Sequence, residues 1–121
     1  MPHPRLAAVS AALALLATAG CASAPPAAAL APGSQARVEG TVAAIDTRPW
    51  TYDGNAVVAL DTAAHGRVSV QLPARWNLCK AAPVDVAALA VGARARAVGT
   101  VTADGSVVVC EGAGDALVRI D

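Results

Sequence analysis

Apolar and polar positions first alternate with a period of two at Val38, and they do so in blocks through to Ile120. Side chains on successive strand residues point to opposite faces, so each block predicts a half-buried strand. Val38 to Ile45 is the first block. Val38, Gly40 and Val42 share one phase and Ile45 falls in the other, so a bulge is expected, with Gly40 as the residue that tolerates one. Arg48, Pro49, Trp50, Tyr52 and Asp53-Gly54-Asn55 then read as a loop with a turn signal. Ala56 to Asp61 and Arg67 to Leu72 are the second and third strands, joined as a hairpin through His65-Gly66. The pattern lapses after Pro73. Asp85 is placed to cap a short helical turn over Val86 to Ala90, closed by Gly92. Alternation resumes from Arg94 to Thr102, Asp104-Gly105 is a hairpin signal leading into Ser106 to Cys110, and Ala116 to Ile120 is a last short strand.

The stretch before Val38 has a different character. His3 and Arg5 form a short basic start, Leu6 to Ala19 is an apolar run, and small residues follow. A run of that length suits a secretory signal and falls short of the roughly 20 residues that span a bilayer. Ala22 to Ser34 contains little but Ala, Pro, Ser and Gly, and reads as a passive extended spacer. The expected organisation is a signal at 1–20, a tether at 21–35 and one all-β domain at 36–121.

Composition sharpens the fold class and narrows the function. Val outnumbers Leu and Ile throughout the domain, which favours pleated over helical structure. The nine basic and nine acidic residues balance, so the basic stripe expected of a protein that lives on phosphate contacts is missing. A domain this small buries only about 60% of its unfolded surface and gains greatly from a covalent staple. Cys79 and Cys110 are an even pair once Cys21 is set aside. Without a CxxC spacing they predict a structural disulfide rather than a redox dithiol or a metal site.

The segment Thr18-Ala19-Gly20-Cys21 resembles the lipobox of bacterial lipoproteins, with Thr18 where that family prefers Leu. The resemblance implies that the Cys21 thiol is acylated (palmitate among its acyl chains), becomes the new N-terminus and anchors the chain in the cell envelope. Ala22 rather than Asp after the cysteine implies, in a Gram-negative host, the outer membrane facing the periplasm. Cleavage after Ala19 or Ala24 is the competing reading, and Pro25 opposes the second site.

Three strands, a helical link, then two or three strands is also the order of an OB-fold. Gly40 in the first strand, Val91-Gly92 before the fourth, and Val98-Gly99-Thr100-Val101 ahead of Asp104-Gly105 resemble that five- to six-stranded Greek-key barrel. An SH3-like barrel and a small β-sandwich are the alternatives. The chain thus resembles the uncharacterised OB-like lipoproteins of bacterial envelopes.

Candidate chemistry is sparse. Trp50 and Tyr52, with Asp53 and Asn55, sit in the first loop, one of the binding loops of OB-folds, so they are candidate partner contacts; the opposing reading has both rings lid the barrel, with Pro49 and Gly54 holding the loop down. Trp76 is expected to pack over the disulfide. Arg94 and Arg96 share a strand face and are candidate anion contacts or a solvated wall. His65 reads as a solvated turn residue. Ser69 and Ser106 have no second His to serve them, and Asp46, Asp53 and Asp61 are too widely spaced for a calcium loop. No catalytic set, metal site or cofactor is expected. The function expected is a membrane-tethered, non-enzymatic binding or assembly module for an envelope protein or small ligand. An oligonucleotide- or anion-binding domain and an inhibitor of an envelope enzyme are the alternatives. A nucleic-acid role is not expected, because Ala56 to Leu60 and Val68 to Leu72 offer no aromatic for base stacking.

Overall fold

Inter-strand register, rather than any single strand, makes this chain a barrel. The computed structural model describes residues 2–4 and 28–121; Cys21 and most of the expected signal and tether lie outside them. Six strands form in order: β1 (Gln35–Asp46), β2 (Ala56–Thr62), β3 (Gly66–Leu72), β4 (Arg94–Val101), β5 (Val107–Val108) and β6 (Ala116–Arg119). β1 is long enough to serve two neighbours. Its first half pairs with β4, from Gln35 opposite Thr100 to Thr41 opposite Arg94. Its second half pairs with β2 on the other edge, ending with Asp46 opposite Val57. β2 and β3 form the expected hairpin, β3 meets β5 in parallel, and β5 returns antiparallel onto β4. The ring β1-β2-β3-β5-β4-β1 is therefore closed. β6 lies outside it, along the stretch of the β4 edge that β5 leaves free. This is the strand order of a small OB-like Greek-key barrel, and a single closed ring excludes a two-sheet sandwich.

The bulge in β1 is at Ala43, not at Gly40, since the register slips between Val42 and Ala44. Gly40 solves a different problem. β1 changes partner there, and a Cβ on Gly40 would meet the carbonyl oxygen of Asp61, with the carbonyl carbon at 2.9 Å. The bulge comes three residues later, where β1 already runs against β2 and gains the curl that closure demands.

The inward positions are small and branched. Val42, Val58, Leu60, Val70 and Val107 are wholly buried, and Ala95 and Ala97 fill the β4 side. A barrel of five strands leaves space for side chains and little more, which accounts for a Val/Ala/Leu interior with no buried aromatic among the described residues.

The irregular parts depart most from expectation. The first loop is a 3-10 turn over Arg48–Tyr52. The expected helical link is a single 3-10 turn over Val86–Ala88, and Asp85 makes no capping bond from its side chain. Three residues fix too little backbone to form a helix end that a side chain could cap. β5 is only two residues long, because the parallel pairing with β3 ends at Val108 and the chain leaves for the disulfide.

Cys79 and Cys110 are bonded, with Cα atoms 4.5 Å apart. The bridge ties the long β3–β4 connection to the end of β5, and the Ala81 amide adds a bond to the Cys110 carbonyl at 3.0 Å. Beside it the buried Asp115 accepts hydrogen bonds from the amides of Cys110 and Gly112 and from the Gln35 side chain. A buried carboxylate is tolerable because three donors converge on it.

The spacer reading fails for residues 28–34. The Ala28 amide donates to the Ala64 carbonyl at 2.9 Å, the Gly33 amide to Val101 at 2.8 Å, and Leu30 packs against the core. His65 is correspondingly not a free turn residue, since its Nδ1 lies 2.7 Å from the Ala28 carbonyl oxygen.

A candidate ligand cleft at one pole of the barrel

The aromatic loop is built from its own polar atoms. The Asp46 carboxylate accepts the Arg48 amide and both ends of the Arg48 guanidinium fork, which starts the turn. That double contact, side chain first and amide second, holds the Asp46 carboxyl below its ordinary pKa. Pro49 occupies the first turn, where its missing amide hydrogen costs nothing. Asp53 ends the turn at φ +61°, a left-handed conformation that Asp tolerates better than most residues, and the Gly54 amide returns to the Pro49 carbonyl at 2.8 Å. Asn55 bonds Gln71 of β3 and fastens the far end.

This framework separates the two aromatic residues that sequence reasoning treats as one unit. Trp50 is drawn inward against the core, with its Nε1–H donating to the Leu72 carbonyl at 2.9 Å. Tyr52 points away and is 73% exposed. Trp50 therefore follows the lid reading, whereas Tyr52 has the exposure of a contact residue.

Trp76 occupies a third kind of position. It opens a 3-10 turn over Trp76–Leu78 in the β3–β4 connection, and the residue is 56% exposed instead of buried over the disulfide. Between Trp50 and Trp76 lies a cleft of about 420 Å³. Pro73, Cys79, Pro83 and Val84 line it alongside the two indoles, and Asp53 stands in its wall. The Trp50 N–H is already committed to the backbone, so that ring can offer a ligand only its apolar surface. Asp53 is the one lining side chain that carries a charge, because Cys79 is tied in the bridge. Such a site takes an apolar or aromatic group by contact and orients it with few polar interactions.

The candidate anion contacts do not converge on an open position. Arg96 donates through Nε to Glu39 of β1 at 2.8 Å, directly opposite it in the register. This bond from Arg96 is the largest influence holding the Glu39 carboxyl below its ordinary value, with Arg37 and Arg94 adding to it. Arg94 is exposed, and its backbone amide is bonded to Asp121. The wall is laced with charge pairs, as expected of a solvated strand face.

Sequence reasoning placed the first loop correctly and missed the opposite wall of the cleft. Prolines at 73 and 83 around a lone tryptophan were the available signal for an ordered, irregular connection facing Trp50. No family model matches the chain, and no curated protein matches it.

Proposed function

We propose that this chain is an exported, lipid-anchored, non-enzymatic binding module of the cell envelope that holds an apolar element of its partner in the Trp50–Trp76 cleft. The observation that carries the reading is the cleft itself: two of the three aromatic residues of the chain form facing walls at one end of a stapled barrel. Half-exposed tryptophan beside a well-packed apolar floor has the composition of an interaction hot spot. Acid–base or nucleophilic catalysis needs a reactive group with an orienting partner, and Asp53 is the sole titratable side chain lining this cleft. The disulfide supports an oxidising compartment, and the lipobox-like Thr18–Cys21 segment supports the anchor, with Ala22 favouring the outer membrane.

In-cell photo-crosslinking tests this reading. Probes at Asp53 and Trp76 are expected to capture the same discrete partner, while probes at Arg94 and Arg96 on the charged wall capture none. Trp76→Ala should then abolish the Asp53 adduct without changing the amount of protein in the envelope. Equal adducts from all four positions, or an Asp53 adduct indifferent to Trp76→Ala, would refute it.

A further inference from the structure

Residues 28–34, which follow the proposed anchor in sequence, and the cleft belong to opposite poles of the barrel, and that segment is held in place. Trp50, Leu72 and Val109 belong to one pole, where β1 and β3 end and β2 begins. The β2–β3 turn and the β4–β5 turn make the other, and the 28–34 segment crosses that second pole. Ala28 is held by Ala64 and His65 of one turn, and Gly33 and Ser34 by Val101 at the start of the other. Ser34 Oγ closes the segment on itself by donating to the Ala31 carbonyl at 2.6 Å. Leu30, the only large side chain between Cys21 and Gln35, is inserted against the core. β5 is too short to pair with all of β3, so the barrel wall is open beside Arg67 and Val68. Ala28, Leu30 and Pro32 stand in that gap, which includes a second cavity of about 430 Å³.

We infer that residues 28–34 are a strap that seats the β2–β3/β4–β5 pole of the barrel on the lipid surface and turns the Trp50–Trp76 cleft away from it. The inference rests on the anchor at Cys21. With the strap docked, six residues separate Cys21 from Ala28, which span at most about 25 Å fully extended. With the strap free the span from Cys21 to Gln35 would be about 50 Å, enough for the barrel to tumble. The six steps of β3 between Gly66 and Leu72 put the cleft roughly 20 Å beyond the seated pole. The surface presented to lipid fits that role without needing charge. Ala29, Ala31, Pro32, Ala63, Ala64 and Ala103 are exposed there, and Arg67 is paired with Asp61 at 2.8 Å. The one further charge there among the described residues, the exposed Asp104 carboxylate, accepts from the Thr102 hydroxyl and the Ser106 amide. A neutral headgroup layer is therefore a sufficient partner, and the seating should not depend on anionic lipid.

The indoles make the test direct, because both native tryptophans are at the cleft pole. The full chain isolated with its anchor is placed in phosphatidylcholine vesicles carrying a nitroxide on the headgroup. Emission from Trp50 and Trp76 should be scarcely quenched, whereas the indole added by Ala63→Trp should be quenched several-fold more strongly. Leu30→Ser, or Ala28→Pro, which removes the amide donor to Ala64, should reduce that difference to nothing. Native indoles quenched as strongly as the added one, or a gradient that survives both strap variants, would overturn the inference. The mass of the N-terminal peptide reads the anchor separately. If Cys21 carries no lipid, that reading fails alone, and the same quenching is read after coupling Cys21, the thiol left outside the bridge, to a maleimide phospholipid.

Discussion

Replacing Cys79 and Cys110 together by alanine is expected to lower the unfolding free energy by about 3–4 kcal/mol. The two residues are 31 apart in sequence, and the bridge removes the corresponding loop-closure entropy from the unfolded chain. Few other tertiary contacts could compensate. The connection that the bridge holds contains two three-residue 3-10 turns, and between the bridge and β4 only Ala81, Leu89 and Ala93 are buried. For a domain of this size the loss corresponds to a midpoint lower by roughly 15–25 °C. The cleft should go with it, since Cys79 and Trp76 share the freed segment. Thermal unfolding followed by circular dichroism, with the oxidised wild type alongside, measures the effect. A shift of only a few degrees would mean that the connection is held by its packing.

The second large effect is expected at Gly99. A Cβ there would collide with the Val108 carbonyl, whose carbon would be 2.8 Å away, and with Val107 Cγ1 at 2.9 Å. The carbonyl cannot rotate aside, because Val108 is paired with Thr100 on one edge and Gln71 on the other. Gly99→Ala must therefore separate β4 from β5, the shortest seam in the ring, at a cost of about 3 kcal/mol. Gly114→Ala is the control. An added Cβ there has nothing within 4 Å, and its effect should stay within about 0.5 kcal/mol. Urea midpoints for the two variants should separate clearly; coincident midpoints would contradict the packing described for this seam.

Strand-level structure was legible in this sequence because one-sided burial imposes a period of two that Val, Ala and Leu obey. Each of the six strands overlaps the block where alternation placed it, though β1 starts three residues early at Gln35 and β5 shrinks to Val107–Val108, and the cysteine parity led to the observed bridge. What escaped was set by tertiary geometry. The Ala43 bulge depends on where β1 exchanges β4 for β2, and alternation within β1 alone cannot locate that exchange. Leu30 is one apolar residue among alanines and prolines, so it carries no periodicity; its burial follows from the gap beside β3. Asp115 looks like any polar loop residue, and only the folded loop brings three donors to it. For the cleft, half was readable. Pro49, Trp50 and Asp53 announced a structured loop, but the committed Trp50 N–H and the facing Trp76 depend on contacts across sequence separations that no local pattern encodes.

Ligand binding in the Trp50–Trp76 cleft is read directly by a small-molecule fragment screen in 1H–15N spectra of the chain, following its two indole N–H signals. Aromatic and apolar fragments are expected to shift the Trp76 indole most, with the Trp50 indole responding less because its N–H is bonded to Leu72. Backbone shifts should cluster at Asp53, Ala74, Ala82 and Val84, which line the same cleft. Fragments that leave both indoles unmoved and gather instead on the Arg94–Arg96 wall would rule out the cleft and move the binding surface to the charged side of the barrel.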